Sequence, residues 1–333
     1  MPLDTPEAVL NLARDFMASR ILLAGAELNI FSLLKQRPLS APAIAKAVNA
    51  DLRALTILLD ALAALGLLVK QEELYHCVPQ LSAILTDDHP DSILPMLLHL
   101  AHLWRRWSSL TDIVRGTQQP GKITNLTLDD KARAAFIGAM HAIGFPRAQA
   151  TVSAIQPGTA QRLLDVGGAS GTYTIAFLQA SPAMQATLFD QPEVIAMARE
   201  RLDQAGLVNR VQLVAGDFYR DELPQGHDLA FVSAIIHQNS PAQNLELYGK
   251  IFRALQPGGR IVIRDHVMEP NGTAPPGGAI FAVNMLVATE SGGTYTMEEI
   301  TDGLLQAGFQ KVRLLRKAEM DSLVEAFKPQ DAL

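Results

Sequence analysis

The chain of 333 residues holds a single cysteine, Cys77. An internal disulfide framework is therefore excluded, and such usage suits a reducing compartment. Basic charge is scarce: 28 Lys and Arg stand against 34 Asp and Glu, a formal charge of −6. No segment is strongly basic, so nucleic acid is not an expected partner. Long hydrophobic runs are also missing. The most apolar one, 93–104, contains His99 and His102 and falls short of the roughly 20 residues of a membrane span. It reads as a buried helix, and no membrane partner is expected. The start, Met1-Pro-Leu-Asp-Thr-Pro-Glu, has neither a basic region nor an apolar core, so no signal peptide is expected and the cytoplasm is the expected location. There is no internal repeat, no low-complexity tract and no metal-ligand cluster; no metal is expected. What is present is 48% hydrophobic and 19% charged residues, in a length that suits two domains.

Residues 1–90 read as short helices closed by a hairpin. Leu22, Leu23, Ala26, Ile30, Leu33 and Leu34 recur at helical spacing. Ser40 is placed to cap the next helix, and a third runs from Arg53 to Leu65 and stops at Gly66. Leu67-Leu-Val-Lys and Leu74-Tyr-His-Cys-Val then flank a polar turn. Three helices and a hairpin make a winged helix. One that reads DNA carries cations on its recognition helix and wing. Here Lys46, Arg53 and Lys70 face Asp51, Asp60, Glu72, Glu73, Asp87 and Asp88, so a protein–protein role is expected. Residues 91–160 read as a helical connector with breaks at Pro120-Gly121 and at Gln156-Pro-Gly158. From 161 to 333, strands and helices alternate. Strands are expected at 163–166, 186–189, 211–215, 229–233, 260–264, 312–315 and 323–327, and helices from Thr172, Pro192, Pro241 and Met297. Such alternation gives a largely parallel sheet covered on both faces, ending here in an antiparallel hairpin, with ligand at the carboxyl ends of the strands.

The richest segment is Leu163-Leu-Asp-Val-Gly-Gly-Ala-Ser-Gly171. An apolar strand ends on an acid and turns through glycines into a helix, the opening of a nucleotide-binding unit. A dinucleotide fingerprint needs Gly-x-Gly-x-x-Gly, and Val166 breaks that fit. The pattern acid-x-Gly-x-Gly-x-Gly of S-adenosylmethionine (SAM) methyltransferases is matched at Asp165, Gly167 and Gly171, with Ala169 in place of the middle glycine. Later strand ends carry more polar groups. Asp190 could hold both ribose hydroxyls, or could cap the next helix, since Asp190-Gln-Pro-Glu193 has capping-box spacing. Asp217 and Phe218 could accept from an adenine amine and pack its face, or could form a simple turn. Ser240-Pro-Ala-Gln243 starts a helix, which leaves His237 on a short loop at the crevice. An imidazole there can take a proton from a hydroxyl, and Asp265 on the neighbouring strand could fix its tautomer. His266 is the competing base.

On these residues the chain resembles the small-molecule O-methyltransferases of plants and bacteria, of the caffeate and hydroxyneurosporene type. Matching stretches are Leu28-Asn-Ile-Phe-Ser-Leu-Leu, Leu59-Asp-Ala-Leu-Ala-Ala-Leu-Gly-Leu-Leu, Leu164-Asp-Val-Gly-Gly, Phe189-Asp-Gln-Pro, Gly216-Asp-Phe, Leu255-Gln-Pro-Gly-Gly-Arg and Ala307-Gly-Phe. The resemblance implies an α/β, Rossmann-like class I methyltransferase sheet behind an all-α winged-helix domain, and a homodimer. It implies SAM as cofactor, with Gly167, Gly168, Asp190, Asp217 and Phe218 around it, His237 as general base and Asp265 orienting it. The chain departs from the family at Gln238 and Asn239, where many members have Asp-Trp. It has Ser233 where many have a lysine near the cofactor carboxylate. A second supporting carboxylate would fall near Thr294; Glu290 is out of register, and Glu298 and Glu299 read as helix-start residues.

The expected reaction is methyl transfer to a hydroxyl of a small, aromatic or polyketide-like acceptor. The acceptor pocket is expected between the domains, with Met140, His141, Asn284 and Met285 as substrate contacts. Phe136 and Phe145 read as core, and Trp104 and Trp107 as packing or dimer surface. Two alternatives use the same cofactor: N- or C-methylation or SAM-assisted chemistry on this fold, and a non-catalytic SAM-sensing regulator. Glycine order disfavours a nicotinamide dehydrogenase.

Overall fold

The structure, a computed structural model, describes residues 4–86, 89, 92–121 and 130–331, and all their side chains except those of 130–136 and 143. Asp87, Asp88 and the Phe136 side chain lie outside these. The described residues divide into two compact units. One comprises the chain up to Arg105 and a stretch of a long helix ending at Ala142; the other begins at Arg106 and resumes at Ile143. The expected connector, 91–160, is thus shared between the two units. Among the described residues, no helix is long and apolar enough to cross a membrane.

The first unit opens with α1 (Pro6–Arg14), α2 (Phe16–Glu27) and α3 (Ile30–Leu34). The single helical repeat read over 22–34 is broken, because Asn29 adopts a left-handed conformation, φ 55°, which asparagine tolerates better than most residues. Next come β1 (Leu39–Ser40), α4 (Ala41–Val48), α5 (Leu52–Ala64), β2 (Leu68–Gln71), β3 (Leu74–Cys77) and α6 (Pro79–Leu85). Ser40 stands at the α4 N-cap, but its side chain makes no capping bond; the residue pairs with Leu74 in the small sheet β1-β3-β2 instead. Asp51 does cap α5, accepting from the Ala54 N–H at 2.8 Å. Ile30, Phe31, Ile44, Leu55, Leu59, Leu62 and Tyr75 form the buried centre. α7 (Leu94–Trp107), α8 (Leu110–Val114) and α9 (Asp130–Ile155) follow.

The second unit contains β4 (Arg162–Val166), α10 (Thr172–Ala180), β5 (Gln185–Asp190), α11 (Pro192–Gln204), β6 (Val211–Ala215), β7 (His227–Ser233), α12 (Pro241–Ala254) and β8 (Leu255–Asp265). After these come β9 (Val267–Met268), α13 (Pro276–Ala288), β10 (Tyr295–Thr296), α14 (Met297–Gln306), β11 (Gln310–Arg316) and β12 (Ser322–Phe327). The large sheet runs β11-β12-β8-β7-β4-β5-β6. Its strands are parallel from β8 to β6, and β12 is antiparallel to both β8 and β11. β4 and β7 are buried on both faces: Leu163, Leu229 and Phe231 pack under α9 and α10, while Leu164, Val166 and Val232 pack under α12 and α14. Their near-continuous apolar sequences follow from that double covering. Arg260 of β8 donates to the Ile155 and Gln156 carbonyls at the end of α9 and pairs with the fully buried Glu325 at 2.7 Å.

Candidate active site

β4 delivers the chain into the glycine turn with Gly167 at φ 68° and Gly171 at φ 77°. A Cβ on Gly167 would lie 2.5 Å from Ile235 Cδ1, and one on Gly168 would lie 2.7 Å from Leu188. Both positions are closed to side chains, so the turn presents bare main chain. Ala169 is also left-handed, at φ 47°, which explains why a glycine suits that place. Its N–H donates to Asp190 Oδ2 at 2.8 Å, while Asp190 Oδ1 accepts from the Gln191 N–H at 2.7 Å. The capping box offered by Asp190 and Glu193 is not formed. Gln191 is the cap of α11 and makes no side-chain bond; the carboxylate has turned back to the glycine turn. Burial pushes the Asp190 carboxyl up to about 6, against its two backbone hydrogen bonds. Asp165, beneath the turn, accepts from Thr174 Oγ1 at 2.6 Å. Burial pushes it up to about 7, against that hydrogen bond and with a further push from Asp190.

Past β6, Asp217 Oδ1 accepts from the Tyr219 N–H at 2.9 Å, so the acid shapes its own loop. Phe218 sits near Gly167, 3.9 Å from where its Cβ would be, and its ring lies 4.6 Å from that of Tyr219. Ser233 ends β7, and its hydroxyl accepts from Arg264 Nη1 at 3.2 Å. The Arg264 guanidinium lies over the Tyr173 ring, 5.1 Å from its centre.

His237 stands in a one-turn 3-10 helix, Ile236–Gln238, directly before the α12 capping box of Ser240 and Gln243. Its Nδ1 lies 2.8 Å from Asp265 Oδ1. Burial alone would raise the Asp265 carboxyl, but the charge and hydrogen bond of His237, with the His266 N–H, hold it below the usual carboxylate range. His266 gives Asp265 only its backbone N–H, at 2.8 Å. Its ring stacks on Phe281 at 4.4 Å, and burial, partly offset by Asp265, lowers its pKa. Of the two histidines, His237 therefore holds the carboxylate by its side chain. Phe281, which sequence reasoning passed over, meets His237 edge-on at 4.8 Å. Gly292 and Gly293 are tied to the same loop: the Gly293 N–H donates to the His237 carbonyl at 2.8 Å, and a Cβ on Gly292 would fall 2.5 Å from that oxygen. Glu299 completes a capping box with Thr296, as a helix-start residue.

The substrate residues fall in two places. Met140 and His141 are half-buried on the stretch of α9 in the first unit; Asn284 is half-buried and Met285 buried on α13. Asn284 Oδ1 accepts from the Trp107 indole N–H at 2.9 Å, so Trp107 packs with a polar purpose. Trp104 lies 6.2 Å from Phe16. Phe145, expected in the core, is 56% exposed.

Comparison with known proteins gives this geometry its family. The model of the O-methyltransferase domain matches residues 117–310. The chain belongs to the O-methyltransferases. The model of the O-methyltransferase dimerisation domain matches residues 10–87. A 3-hydroxy-5-methyl-1-naphthoate 3-O-methyltransferase of Streptomyces sahachiroi is 30% identical, over 94% of this chain and 92% of that protein. The tetracenomycin polyketide synthesis 8-O-methyl transferase TcmO of Streptomyces glaucescens is 30% identical, over 97% of both. The crystal structure of human N-acetylserotonin methyltransferase in complex with SAM superposes with a TM-score of 0.82 at 25% identity, covering 99% of this chain and all of that one. This O-methyltransferase uses SAM, and its residues fit that cofactor. Ile235 and Leu188 leave no room for a Cβ at Gly167 and Gly168, so the turn offers bare main chain for close approach, and Asp190 spends one hydrogen bond on each oxygen, leaving each a lone pair for a ribose hydroxyl.

Proposed function

We propose that this enzyme methylates a hydroxyl of a small, aromatic or polyketide-like molecule, with His237 as general base and Asp265 as the residue that orients it. The observation carrying the reading is the buried 2.8 Å contact between His237 Nδ1 and Asp265 Oδ1. An ionised carboxylate only accepts, so Nδ1 carries the hydrogen and Nε2 keeps its lone pair. Nε2 takes the hydroxyl proton, and Asp265 stabilises the cation that forms. When bound, SAM would supply a methyl group on a positively charged sulfur.

Gly167, Gly168, Asp190, Asp217, Phe218 and Ser233 are the residues proposed to hold the cofactor, and Met140, His141, Asn284 and Met285 those proposed to contact the acceptor. Alignment of the reacting atoms contributes about 7–11 kcal/mol, and the base about 10²–10⁴-fold in rate. The relatives named for a naphthoate and for a tetracenomycin polyketide support an acceptor of that class. Phe281, edge-on to His237, supplies an aromatic wall beside the base. A homodimer is proposed from the dimerisation-domain match, and the cytoplasm as location from the cysteine usage.

The test is a screen of phenols, hydroxyquinones and polyketides with labelled SAM, run on the wild type and on His237→Ala. The variant should bind S-adenosylhomocysteine as the wild type does and turn over accepted compounds at least ~100-fold more slowly. Unchanged turnover would remove His237 from the role.

A further inference from the structure

Asp265 fixes one nitrogen of the His237 ring but not the main chain that carries it. That main chain is held by a second set of bonds. The Ile236 carbonyl accepts from Asn244 Nδ2 at 3.0 Å, Asn244 Oδ1 accepts from Asn239 Nδ2 at 2.9 Å, and Asn239 Oδ1 accepts from the Tyr219 hydroxyl at 2.5 Å. Asn239 is fully buried and Asn244 nearly so. The Asn239 carbonyl accepts in turn from the Tyr295 hydroxyl.

The direction of this chain of bonds is forced. A carbonyl can only accept, so Asn244 must turn its NH2 to Ile236 and its oxygen to Asn239. Asn239 must then turn its own oxygen to Tyr219, and the tyrosine must donate. Tyr219 as a whole residue is 38% exposed, on the loop that also carries Asp217 and Phe218, and its hydroxyl is the end that meets the buried Asn239.

We infer that Tyr219 is a positioning residue for the general base, acting through Asn239 and Asn244 to fix the His237 turn against the loop proposed for the cofactor. Asn239 is thus the centre of the link between two parts of the site. Burial of the hydroxyl, with the negative charge of Asp217 and against a side-chain hydrogen bond with Gln238, pushes Tyr219 up to about 12, so it stays a donor at neutral pH. A connected network of this kind, buried at both asparagines, favours one arrangement, and loss of one member leaves the next without a partner. Misplacement of a reacting group by about 1 Å costs on the order of 100-fold in rate.

The inference rests on His237 being the base, and Tyr219→Phe tests it. The variant removes one hydroxyl and keeps the ring beside Phe218, so S-adenosylhomocysteine affinity should stay within about 3-fold of wild type, which also reports folding. Turnover of weakly acidic phenols should fall by about 10–100-fold, whereas a nitrophenol already ionised at the assay pH should lose far less, since it needs no base. In the S-adenosylhomocysteine complex at one fixed pH, the NMR signals of the His237 ring should move from their wild-type positions. Asp265 and His266 face that ring, with Tyr248 and Tyr295 close enough to Asp265 to feel its charge, and the variant alters none of them. An unchanged rate, or an equal loss across all phenols with unmoved His237 signals, overturns the inference. If His237→Ala itself keeps turnover, the base assignment falls first; if that variant is inactive and Tyr219→Phe is not slowed, only the role of Tyr219 falls.

Discussion

Asp165 shows how one residue can trade stability for a site. Its carboxyl is 2% exposed and is pushed up to about 7 from 3.8, chiefly by burial. A folded-state pKa above the unfolded one means that, between pH 4 and 7, the folded chain holds a proton the unfolded chain has released. The contribution of this group to stability therefore falls as pH rises through that window, by at most about 4 kcal/mol. Asp165→Asn keeps an acceptor for Thr174 and removes the titration. Unfolding in urea at pH 5 and pH 8 should show a smaller loss of stability at the higher pH in the variant than in wild type. An equal pH slope in both would refute this. Asp190, pushed up in the same direction, leaves a residual slope at the acid end of the window. The polar groups of this site were legible because each stands at the end of an apolar strand or a few residues beyond it: Asp165, Asp190, Asp217, His237 and Asp265. Phe281 and Tyr219 were not, because an aromatic ring carries no positional signal until α13 and the loop after β6 bring it beside a partner.

At the scale of the element, the glycine turn is shaped by its neighbours as much as by its own sequence. Ile235 and Leu188 close the space over Gly167 and Gly168, so glycine is required there by contact. At Ala169 it is favoured by conformation alone, since φ is 47°. Ala169→Gly should therefore raise the stability of the protein by about 0.5–1 kcal/mol, read as a higher thermal midpoint, with the hydrogen bond from its N–H to Asp190 kept. A lower midpoint would show that the methyl group packs usefully. The seven strands of the main sheet were legible to within a few residues at each end, because short apolar runs alternate with helices; β8 alone begins well before its expected start. The elements that escaped are the ones with little local pattern. β1, β9 and β10 have two residues each, too few for a period of two to register. α13 is apolar on nearly every side over Pro276–Ala288 and shows no stripe to count. α2 and α3 share one apolar repeat, and only the backbone of Asn29 separates them.

For the whole molecule, the surface of the first unit bears on assembly. Its charge does not favour nucleic acid: Glu72 and Glu73 form the turn of the hairpin, and Lys70 is already paired with Asp60 at 2.7 Å. Its apolar surface asks for a protein partner. α1 buries none of its residues, and Val9, Leu10 and Leu12 on it, with Phe16 and Met17 at the start of α2, are each about half exposed. A nine-residue helix is marginal alone, and a contiguous apolar stripe of this size marks an interaction surface. The family match for dimerisation begins at residue 10, within this stripe, so the proposed homodimer is expected to cover it. Val9→Asp combined with Leu12→Asp places two charges in that face and should convert a dimer into a monomer at micromolar concentration, measured by light scattering. Neither residue is buried within the chain, so the thermal midpoint of the monomer should fall only by what dimerisation had contributed. A wild-type protein that scatters as a monomer, or a double variant that remains a dimer, would place the interface elsewhere.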